Sequence, residues 1–147
     1  MTTATQKPVT TGRRALFAAA GAGALIGLIA AVVGGFVAGS DAAWGAVVGT
    51  LMVLVVFGGG ALLVDLVAGV LPQASLLIAL LTYVLQVVVM ALIFLALSRG
   101  GALDDALDRR WLGGAVIAGT FAWLVSQIVV STRLRLPAYE LTEPGAR

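Results

Sequence analysis

SLLIALLTYVLQVVVMALIFLALS, residues 75–98, runs without a glycine or a charged side chain. At about 1.5 Å per residue such a helix crosses the roughly 30 Å of a bilayer's hydrocarbon core. A polar cluster of Thr82, Tyr83 and Gln86 lies inside it. Three other apolar runs, 15–38, 42–64 and 111–131, are rich in Gly and Ala and can approach a bulky neighbour closely. The expectation is an all-α membrane protein of four transmembrane helices in a compact antiparallel bundle, with 75–98 as its keel.

Composition supports that reading. The 147 residues are 61% hydrophobic and 11% charged, whereas a soluble domain carries about 25% charged residues. The chain has no Cys and no His, which removes disulfides, thiol chemistry, haem, most zinc sites and the usual acid-base side chain near neutral pH. We therefore expect no enzyme, no catalytic residue and no cofactor. The net charge of +2 comes from short arginine-bearing flanks, which act as topology signals and not as a nucleic-acid surface.

Residues 1–14 are polar, rich in Thr and broken by Pro8, so a disordered tail is expected. Arg13 and Arg14 stand directly before the first apolar run. A cleaved signal peptide and an uncleaved first span compete here; the run is longer than the roughly 7 to 15 residues of a signal core, which favours the span. Gly23, Gly27, Ala31 and Gly35 recur every four residues and form one small-residue stripe on a helix. The stripe fits a neighbour from the same chain, from a partner or from a second copy in a homo-oligomer.

Gly39, Ser40 and Asp41 predict a tight turn, and Trp44 follows at interfacial depth. Gly45 and Gly49 then stand at GxxxG spacing, and the run Gly58, Gly59, Gly60 predicts a kink or local unwinding. Asp65, the one carboxylate in a span, is expected at or just past the far interface, about 33 Å along the second helix. An acid drawn inward toward Gln86 would instead suggest ion binding.

In the third span Thr82, Tyr83 and Gln86 share one helical face. The plain reading of Gln86 is an interhelical hydrogen bond that fixes register, worth roughly 0.6 kcal/mol and up to about 1.7; the functional one is a substrate site. The 99–110 loop places three Asp among three Arg. There Asp104 and Asp108 are the candidate metal ligands, against which stands pairing with Arg109 and Arg110. Trp111 opens the fourth span, whose small residues include Gly119. The 132–147 tail brings Arg133, Arg135 and Tyr139 together in RLRLPAYEL, a mix suited to anionic headgroups or a partner's groove.

Four spans put both termini on one side. That side collects Lys7, Arg13, Arg14, Arg133, Arg135 and Arg147, and the other holds Arg99, Arg109 and Arg110. The positive-inside rule counts Lys and Arg and so predicts both termini in the cytoplasm of a multi-pass plasma-membrane protein.

GAVVGTLMVLVVFGGGALL in the second span, ALLTYVLQVVVMALIFLAL in the third, WLGGAVIAGTFAWLVSQI in the fourth and the RLRLPAYEL tail together resemble the ATP synthase protein I family, in its actinobacterial form. The resemblance covers the chain from Arg13 onward and rests on the order and spacing of spans. It implies an accessory protein that assists assembly or stability of the F-type ATP synthase rotor ring, with the synthase membrane subunits as partners. A role in magnesium supply is the alternative, with a small cation transporter or channel lined by Gln86, Thr82 and Asp65.

Overall fold

The computed structural model describes residues 9–68 and 75–133. Within them the chain is helical: α1 Val9–Ala38, α2 Ser40–Ala68, α3 Ser75–Arg99, a single turn α4 Ala102–Asp105, and α5 Arg109–Arg133. Four of these helices, α1, α2, α3 and α5, are long and apolar enough to span a membrane, which makes this a multi-pass membrane protein. The four expected spans fall on them. The expectations for residues 1–8, Arg135 and Tyr139 lie outside the described residues, and Arg133 is the last residue of α5.

Two boundaries differ from expectation. Helix α1 begins at Val9, so residues 9–14 of the expected disordered tail are helical; once a span is nucleated, adding polar residues to its end costs little. The expected unwinding at Gly58–Gly60 does not occur, since α2 is helical throughout Ser40–Ala68. In a low-dielectric solvent, breaking backbone hydrogen bonds costs more than the glycine propensity penalty.

The turn between α1 and α2 is shorter than expected. Gly39 alone makes it, at φ 92, a left-handed conformation that L side chains avoid. Ser40 and Asp41 already belong to α2.

Helices α1, α2 and α5 pack against one another pairwise, while α3 packs on α2. Burial follows this arrangement: within the most apolar window of each span, 33% of α2 is buried, 22% of α1, 17% of α5 and 6% of α3. The expected keel is therefore the outermost helix. Leu112 and Val53 are the largest fully buried side chains, and both sit in the three-helix core. Glycine decides this, because close packing falls to helices whose backbones can meet, and the glycine-free α3 has no such face.

The stripe on α1 is buried at Ala19, Gly23, Gly27, Ala31 and Gly34. A Cβ at Gly27 would collide with the Thr50 side chain, one at Gly23 would sit 3.4 Å from Leu54, and one at Gly35 3.5 Å from Ala43. All three face α2. Gly34, absent from the expected stripe, seats the Trp111 ring, with ring carbons 3.0 Å from where its Cβ would be. A Cβ at Gly45 would lie 2.7 Å from the carbonyl of Asp108, just before α5, one at Gly49 2.5 Å from that of Leu112, and one at Gly119 3.5 Å from Val53. These small-residue faces are thus consumed inside the chain.

Candidate functional site

At the end where α1 turns into α2, the loop before α5 is tied down by its carboxylates. The Asp108 carboxylate accepts the backbone N–H groups of Arg110 at 2.7 Å and Trp111 at 3.0 Å, which is an N-cap for α5. The Asp108 N–H donates to the Asp41 carbonyl at 3.0 Å, and Asp104 pairs with Arg109. The two candidate metal ligands are therefore held in separate structural contacts. Among the described residues no group of three or more Asp, Glu, His or Cys side chains comes together that could hold a metal ion.

The polar cluster of the third span lies in a stripe of partly or fully covered residues, Ile78, Thr82, Gln86, Met90 and Leu97, along one side of α3. Thr82 is its one buried member. The Gln86 amide donates to the Val56 carbonyl of α2 at 3.2 Å. It reaches that carbonyl because Gly60, one turn further along α2, has no side chain; a Cβ there would overlap the amide. Gln86 thus hydrogen-bonds across to the α2 backbone.

Beside that bond a cleft of about 440 Å³ opens between α1, α2, α3 and α5, toward the end where the chain enters α1 and leaves α5. Its polar lining comes from Asp65, Thr82, Tyr83, Gln86 and Gln127, and its apolar walls include Leu16, Phe57, Val64 and Trp123. The Trp123 ring is buried and lies 6.2 Å from Phe57 between centroids. Asp65, expected at or just past the far interface, is the one carboxylate on this lining. It shares the cleft with Gln86 while remaining exposed.

A second groove, about 280 Å³, continues from Phe57, Tyr83 and Gln86 along α3 and α5 past Met90 and Thr120 to Phe94 and Val116. The two spaces share those first three residues and form one seam between α3 and the core.

Thr50, Gly34 and Gln127 escaped the sequence reading as packing or lining residues. Thr50 carries a legible signal, since a hydroxyl in a span satisfies itself on the carbonyl four residues back, and Thr50 does so on Ala46 at 2.7 Å. Trp44 is exposed near the start of α2, and Trp111 is half-buried over Gly34.

No family model, curated protein or solved structure matches this chain.

Proposed function

We propose that this chain is an integral membrane accessory protein of the kind it resembles, ATP synthase protein I, assisting assembly or stability of the F-type ATP synthase membrane sector. Both termini lie in the cytoplasm, in keeping with six Lys and Arg on their side against three on the other. The observation that carries the reading is the division of the fold into a closed three-helix core and a lightly held α3. The core has spent the small-residue faces at Gly23, Gly27, Gly45, Gly49 and Gly119 on itself. A partner span therefore meets α3, through exposed residues such as Leu80, Leu85 and Leu92.

Photo-crosslinkers placed at Leu80 and Leu92 in native membranes should capture a rotor subunit of the synthase, and one at Phe17 on α1 should not. Native gels of a deletion strain should show reduced rotor-ring assembly. Normal assembly together with an absence of synthase adducts would sink the proposal.

A cation path is the second reading, favoured by one observation: Asp65 and Gln86 line the same cleft. The far part of the seam argues against it, because between Val87 and Val116 its lining is hydrocarbon apart from Thr120. Conduction through the chain alone needs polar groups along the whole way. If Gln86→Leu abolished cation uptake into proteoliposomes without loss of fold, this second reading would replace the first.

A further inference from the structure

We propose that the seam between α3 and the core holds one phospholipid with a primary ammonium headgroup, its ammonium at Asp65 and one acyl chain along the groove toward Phe94. The inference is independent of the synthase reading. It begins from the shape of the space, a mainly apolar cleft that carries a few polar groups and an adjacent apolar groove that shares Phe57, Tyr83 and Gln86 with it. Sites for amphiphiles need this division, with mostly apolar walls and a few fixed polar groups.

The headgroup end has one carboxylate, Asp65, with the Tyr83 phenol and the Gln127 amide on the same cleft. One carboxylate cannot replace the six or more oxygen ligands of a hard divalent ion. It suffices for a single ammonium, with which it makes one ion pair. Arg13 and Arg14 occupy the two α1 positions before Ala15, itself a lining residue.

Length agrees as well. From Ala79 to Phe94, the α3 residues lining the two spaces extend about 22 Å, against a leaflet of about 15 Å. Gly60 faces Gln86, and Asp65 lies about 7 Å further along α2, so an ammonium drawn to Asp65 sits below the helix ends. Its acyl chain then passes the midplane into the second groove. An inward headgroup site therefore needs a continuous seam, and the fold supplies one.

The full chain, purified in detergent and given equal amounts of phosphatidylethanolamine and phosphatidylglycerol, is read by native mass spectrometry. We expect one phosphatidylethanolamine retained per chain, at least about tenfold over phosphatidylglycerol and over N-acetylated phosphatidylethanolamine, which lacks the positive charge. Asp65→Asn should abolish that preference. Ala91→Trp, which fills the groove, should remove the retained lipid while helicity by circular dichroism is unchanged. Equal retention of the three lipids by the native chain, or a preference that survives Asp65→Asn, would overturn the proposal and leave only annular lipid. The N-acetylated lipid keeps the test decisive even where a variant fails to fold.

Discussion

Gly60 and Gly45 play the same part at opposite ends of α2. In a helix each Cβ tilts toward the N-terminus and covers the turn before it. A glycine therefore bares the carbonyl four residues back. At Gly60 the uncovered Val56 carbonyl accepts the Gln86 amide, and at Gly45 the uncovered Asp41 carbonyl accepts the Asp108 N–H. Each bond locks a neighbouring element onto α2. Two consequences can be measured by unfolding in mixed detergent micelles. Gly49→Ala meets rigid backbone 2.5 Å away at Leu112 and should cost about 1–3 kcal/mol, while Gly59→Ala, with nothing within 4 Å, should be neutral or stabilising by up to about 1 kcal/mol. Gly60→Ala and Gln86→Ala should be non-additive, because the atoms nearest that methyl group belong to the side chain that the second substitution removes. Additive costs would show that the amide does not occupy the Gly60 notch.

At the scale of the helix, close approach sorts the spans into core and periphery. A Cβ on Gly35 would lie 3.5 Å from that of Ala43, inside the range a disulfide bridges. The pair Gly35→Cys with Ala43→Cys should therefore oxidise to near completion in membranes, against a native background free of cysteine. Failure to crosslink would mean that α1 and α2 are packed on other faces. Truncation should separate core from periphery in the same way. Leu112→Ala, at a fully buried position, should cost about 2–5 kcal/mol, and Leu92→Ala on exposed α3 less than about 0.5 kcal/mol. The spans themselves were legible in the sequence, because length and hydropathy suffice to define them. Their partnering was not, because a small-residue stripe announces a close neighbour without naming it. The bulk of residues 75–98 suggested a centre, but lipid solvates Leu and Val as well as a protein interior does, so bulk carries no information about burial here. Thr82, Gln86 and Asp65 were each visible as polar groups in or beside spans. Their meeting in one cleft was not, since it depends on the pairing of Gln86 with Gly60 across 26 positions of chain.

For the whole molecule, charge at the helix ends predicts the orientation in the membrane. The Asp108 to Asp41 bond holds the α3–α5 loop against the α1–α2 turn, so Arg99, Arg109 and Arg110 gather at one end while α1 begins and α5 finishes at the other. The pairing of Arg109 with Asp104 does not cancel its vote, since acidic residues contribute little to the positive-inside bias. The expected count is six cations against three. In intact cells a membrane-impermeant maleimide should therefore label Asp105→Cys directly and Gln6→Cys only after permeabilisation. Replacing Arg13 and Arg14 with Ala lowers the count to four against three, and a fraction of the molecules should then show the reverse pattern. Labelling of Gln6→Cys from outside in the otherwise native chain would place the Asp65 cleft at the outer leaflet. A rotor-assembly partner acting from the cytoplasm would then have no access to the termini. The lipid site would survive that result, because its geometry is the same whichever leaflet supplies the ammonium.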